Sequence, residues 1–192
     1  MSNPVVNTSK SVGNLVRMAV LIAILLVLEA TGLGLIKTPW GLELTIMQIP
    51  VIIGAILMGP LAGAILGGVF GLISFWECFG LSAFGVTLMG INPFGTFLTC
   101  VPTRILMGLC CGLIFKALHA VQTPAVKNGV SFFLASLCGA LLNTLFFMSV
   151  LVLFFYHTDF IQQIAVSAGA SGVLTFVVAF VGIQGLIEAV VC

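Results

Sequence analysis

Ionisable side chains are rare in this chain, so each one near an apolar run stands out. Glu29, Glu77, Arg104 and Glu188 sit inside such runs or at their ends. A charged group at membrane depth is costly and marks a functional position by default. Carboxylates and a guanidinium can hold one another, or they can hold a polar solute. Arg104 is thus either the ion-pair partner of Glu77 or Glu29, or a cation for an anionic ligand. Other polar and aromatic groups cluster with them: Trp40 and Glu43 in one loop, Trp76 beside Glu77, and Asn92 and Thr96 in a glycine-rich segment. Asn143 and Thr144 interrupt a later apolar run that ends at Tyr156, and Gln184 shares a helix face with Glu188 at i,i+4. Asn143 suits an interhelical hydrogen bond or a ligand contact. Trp40 suits an interfacial anchor or a cover over a ligand.

Enzyme chemistry finds little support. No HExxH, GxSxG or Walker A pattern occurs. His119 and His157 are expected on opposite sides of a membrane and cannot share a metal. The six cysteines, Cys78, Cys100, Cys110, Cys111, Cys138 and Cys192, form no CxxC pair, and they read as small apolar packing residues. No catalytic residue, metal or cofactor is expected.

Of the 192 residues, 61% are hydrophobic and 6% are charged. A soluble domain carries about 25% charged residues, so the solvent here is a bilayer. The net charge of +1 and the absence of a Lys/Arg run exclude a nucleic-acid partner.

A spanning helix needs about 20 mostly apolar residues. Helices are expected over 13–34, 44–58, 60–78, 99–119, 129–156 and 171–192. Residues 1–12 are expected to be a polar cytoplasmic N-terminus. LIKTPWGLEL reads as a loop, FGLSAFGVTLMGINPFGTFL as a partly helical surface segment, and YHTDFIQQ as a polar break. Thr99 is placed as a cap, with Pro102 in the first turn that follows. The result is an all-α integral membrane protein, a six-transmembrane-helix bundle forming one domain over 1–192. The chain stops at Cys192 without a basic tail, so the last helix is expected to be truncated there.

Lys10, Arg17, Lys116 and Lys127 fall on one side of this topology, which makes that side cytoplasmic. Both termini then lie in the cytoplasm of a multi-pass protein of the cell membrane. Arg104 is placed in the first turns of its helix. With Glu29, Glu77 and most of the polar groups it crowds toward the external half, describing a cavity for a small solute.

The run ILMGPLAGAILGGVFG carries Gly59, Gly63, Gly67 and Gly71 at four-residue spacing. Lipid gives no hydrophobic drive between helices, so association depends on small residues that admit close backbone approach. Gly108 and Gly112 offer a matching stripe. Ala19 and Ala23 form a second small pair, suited to packing within the chain or against another protein.

LTIMQIPVIIGAILMGPLAGAILGGVFGLISF resembles the second and third helices of the S components of energy-coupling factor (ECF) vitamin transporters. INPFGTFLTCVPTRILMGLCCGLIFKAL is similar to the entry into their fourth helix, and GIQGLIEAVV to their last. The likeness is greatest to the branch holding riboflavin and pantothenate binders. It implies a substrate-binding subunit with no catalysis of its own. Such a subunit captures a vitamin at the outer face, joins a transmembrane coupling subunit and two ATPase subunits, and topples to release its cargo inside. It also implies that Ala19 and Ala23 face the coupling subunit. The competing readings are an integral membrane enzyme and a structural membrane protein without a small ligand.

Overall fold

The computed structural model describes residues 4–32, 34–37, 43–120 and 130–167, with isolated positions at 172, 175, 177, 178 and 182. Trp40, Lys127, Gln184 and Glu188 lie outside the described residues, and the expected helix over 171–192 is described only at those isolated positions. Seven helices and one hairpin appear among the described residues: α1 (Pro4–Ala30), β1 (Leu35–Lys37), β2 (Glu43–Thr45), α2 (Gln48–Met58), α3 (Pro60–Glu77), α4 (Ala83–Ile91), α5 (Pro93–Ala120), α6 (Ser131–Phe155) and α7 (Asp159–Ser167). Four are long and apolar enough to cross a membrane, namely α1 over Val12–Ala30, α3, α5 and α6.

The two ends of the bundle differ. At one, the antiparallel hairpin pairs Leu35 with Thr45 and Lys37 with Glu43 between α1 and α2. At the other, Gly59 turns α2 into α3 with φ 95°, a conformation that suits glycine, and Pro60 opens α3 where its missing N–H costs nothing. These are called the hairpin end and the turn end.

The α3–α5 seam is the tightest contact in the bundle. A methyl group added at Gly63 would strike the backbone of Gly108, one at Gly67 the carbonyl of Arg104, and one at Gly112 the backbone of Pro60. At Gly71 it would lie 2.8 Å from the Cα of Val101. The two glycine stripes thus face each other antiparallel, backbone on backbone. One apolar cluster joins Leu21 and Leu25 of α1 to Met47, to Val51 of α2, to Leu66 and Phe70 of α3, and to Met107 of α5. A second joins Leu88 of α4 to Met148, Leu151 and Phe155 of α6 and Ile161 and Ala165 of α7.

Several expected boundaries are corrected. The first helix begins at Pro4, not at residue 13, so residues 4–12 are helical. Part of the LIKTPWGLEL loop is the hairpin. The segment over 79–98 contains all of α4 and the start of α5. The helix expected to start at Thr99 is α5 and starts at Pro93, because the Asn92 carboxamide oxygen accepts the Gly95 N–H at 3.0 Å and caps it. Thr99 is not a cap: its hydroxyl donates to the Gly95 carbonyl inside the helix, and Pro102 is interior as well. The polar break YHTDFIQQ leads into α7, whose first turn carries Asp159, a favourable charge for a helix N-terminus.

Candidate functional site

Moving the start of α5 to Pro93 moves Arg104 inward. Counted from Pro93, it lies about 16 Å below the hairpin end at 1.5 Å per residue, not in the first turns. Asn143, counted from the end of α6 at Phe155, lies at a similar depth, about 18 Å. Both side chains are buried.

Arg104 makes four contacts among the described residues. Its Cζ lies 5.1 Å from the ring centroid of Phe70 on α3 and 5.0 Å from that of Phe147 on α6. Such a clamp orients a guanidinium and offsets part of its desolvation. Nη1 donates to the Thr99 carbonyl at 2.7 Å and to the Thr103 hydroxyl at 3.4 Å. Nε is buried and finds no acceptor among the described residues. Among the described residues, no ion pair joins Arg104 to Glu77 or Glu29, the pairing weighed from the sequence. Arg104's contacts within the described chain are a carbonyl, a hydroxyl and two rings. A buried cation with no carboxylate among its described contacts is an expensive arrangement for a fold alone.

A polar stripe leads from this arginine to the hairpin end. Thr96, Thr99 and Thr103 are buried along one side of α5, and each hydroxyl donates to the carbonyl four residues earlier. That bond satisfies the hydroxyl hydrogen and leaves lone pairs on the oxygen. Glu77 at the end of α3 and Gln48 at the start of α2 are buried as well. Asn143 shares a helix face with Phe147 at i,i+4, so it belongs to the side of α6 that meets Arg104.

The other expected positions have different settings. Asn92 is occupied by its cap. Tyr156 closes α6, packs edge-on against His157 and accepts a hydrogen bond at its carbonyl from the Gln162 side chain. Trp76 is 67% exposed and leans on Phe79, itself 65% exposed, so both face outward. Glu29 is half-buried one residue from the end of α1. Glu43 stands in β2 opposite Lys37. His119 is exposed in the last turn of α5, stacked on Phe115. A hollow of about 520 Å³ beside α7 is lined by Asp159, Gln162, Gln163 and Val166.

Sequence reasoning missed Phe70, Phe147, Thr99, Thr103 and Gln48 as parts of this region. The threonines carry a usable signal, since their spacing puts three hydroxyls on one stripe of an apolar helix. The phenylalanines carry none until the helix registers are known.

On the opposite side, α1 is largely uncovered. Ala19 and Ala23 are exposed, as are Leu15, Val16, Val20 and Val27. A groove of about 410 Å³ lies between the first spanning turns of α1 and the α2–α3 turn, lined by Leu15, Met18, Met58 and Leu61 among others.

Residues 13–192 match the family model for the ECF transporter, substrate-specific component. One curated relative is the "Pantothenic acid transporter PanT" of Lactococcus lactis subsp. cremoris, 31% identical over 153 residues, which cover 73% of each chain. Another is the "Pantothenate transporter PanT" of Leuconostoc mesenteroides subsp. mesenteroides, 40% identical over 76 residues, which cover 40% of this chain and 35% of the relative. With its long apolar helices, its glycine seam and this match, the chain belongs to the family of substrate-specific components of ECF transporters: a vitamin-binding transport subunit, not an enzyme.

Proposed function

We propose that this subunit captures a pantothenate-like anionic vitamin, with its carboxylate at Arg104 and its amide and hydroxyl groups on Asn143 and the threonine stripe. The observation that carries this reading is the buried, ring-clamped Arg104 whose Nε has no acceptor among the described residues. A carboxylate would supply that acceptor and compensate the charge in one step. The names of the relatives support the same ligand class. A riboflavin-like cargo would need stacking surfaces inside the site, and the exposed settings of Trp76 and Phe79 argue against it. Glu77 and Gln48 then line the entrance, Trp40 and Glu43 cover it from the hairpin loop, and Glu29, Asn92, Tyr156, Gln184 and Glu188 complete or brace the wall.

In this reading the chain is one membrane domain of six spanning helices in the cell membrane. Both termini are cytoplasmic, and the hairpin end faces outward. The exposed Ala19–Ala23 face of α1 docks on the transmembrane coupling subunit, which works with two ATPase subunits. Uptake then runs on differential affinity: the free subunit binds tightly, and docking favours a form that binds weakly. Mass spectrometry of the small molecule that co-purifies with the protein tests the ligand class. Recovery of an acidic vitamin supports it, and recovery of a neutral aromatic one contradicts it.

A further inference from the structure

The cysteines, read from sequence as packing residues, include one pair that the fold brings into contact. Cys78 follows the last residue of α3, and Cys100 lies on α5. Their sulfurs are 3.9 Å apart in one small buried cluster with Val101, flanked by Phe75, Met89 and Ile105. Both are free thiols. Cys78 also donates to the Ser74 carbonyl at 3.2 Å. The pair sits at the hairpin end, and Cys78 is followed directly by the exposed Phe79, Gly80 and Leu81.

We propose that Cys78 and Cys100 form an oxidisable dithiol that closes into a disulfide and tethers the end of α3 to α5. The oxidant is a small neutral peroxide. One thiol gives its electron pair to hydrogen peroxide, forming a sulfenic acid and releasing water. The second thiol displaces the sulfenic hydroxyl, forming the S–S bond and a second water. Closure brings the sulfurs from 3.9 Å to the covalent length, about 2.05 Å. The loop so closed contains all of α4, which already rests on the pair: a methyl at Gly85 would lie 2.6 Å from the Cys78 sulfur. The tether therefore restrains α4 over the hairpin end. It does not rest on the vitamin reading.

The test is peptide mapping of the purified full-length protein before and after hydrogen peroxide, with hydrogen exchange of the α4 amides in parallel. The expected result is a Cys78–Cys100 cross-linked peptide that dithiothreitol cleaves, a fall in titratable thiols from six to four, and slower α4 exchange in the oxidised form. Cys100→Ala should keep its remaining thiols uncross-linked under the same exposure. The wild-type map stands even if that variant fails to fold. Recovery of Cys78 and Cys100 unlinked while other thiols oxidise, a cross-link to any other cysteine, or unchanged α4 exchange after linkage would overturn the proposal.

Discussion

Two stripes of small residues with the same four-residue spacing meet opposite fates in this molecule. Gly63, Gly67 and Gly71 on α3 are closed against Gly108, Arg104 and Val101 of α5. Ala19 and Ala23 on α1 are open. The spacing permits close approach in both cases. What separates them is whether a partner helix lies against them among the described residues. The first stripe holds the fold and fixes the backbone beneath Arg104. The second has no such partner among the described residues. Small-residue spacing therefore reads as a docking surface only after the intramolecular partners have been assigned.

Substitutions at equivalent spacing should separate the two stripes sharply. Gly67→Val forces a branched side chain into the Arg104 carbonyl, where no flexible group can yield. It should cost at least the 1–3 kcal/mol typical of overpacking, on the order of 3 kcal/mol, and deplete the folded protein recovered by size exclusion. Ala19→Val should shift the melting temperature little, within about 0.5 kcal/mol for a surface change. If both lose stability equally, the contrast between the stripes fails.

The double variant Ala19→Leu/Ala23→Leu should retain vitamin binding by the purified subunit. It should lose co-purification with the coupling subunit and lower uptake into cells more than tenfold. Full uptake by this variant would remove α1 from the docking surface. At the small end, Asn92→Ala removes the α5 cap and should cost about 1 kcal/mol of stability. Measured by thermal unfolding, that loss should leave ligand affinity nearly intact, because the Asn92 carboxamide oxygen is already taken by the Gly95 N–H.

The long spans were legible in the sequence because apolar length is a strong signal. The Met58-Gly59-Pro60 turn was legible because glycine and proline each have one conformational reason to be there. The candidate site was read by residue type more than by position. Reading the helix that carries Arg104 from Thr99 put that arginine near the surface. Asn92, which looks like a loop residue, in fact opens the helix at Pro93 and carries the arginine to mid-depth. α7 was hidden because Tyr-His-Thr-Asp reads as a break, and only its burial of Ile161 and Ala165 against α4 and α6 makes it a helix worth forming. Phe70 and Phe147 could not be singled out among 16 phenylalanines, since only the packing of α3, α5 and α6 puts those two on the guanidinium.

In the proposed function, Arg104 serves a carboxylate brought in from outside the chain. Calorimetric titration with pantothenate and with its neutral alcohol analogue, on the wild type and on Arg104→Ala, tests it most directly. The wild type should prefer the acid, and Arg104→Ala should weaken acid binding more than tenfold, about 1.4 kcal/mol or more, while changing alcohol binding far less. Equal loss for both ligands, or unchanged affinity for the acid, would contradict it.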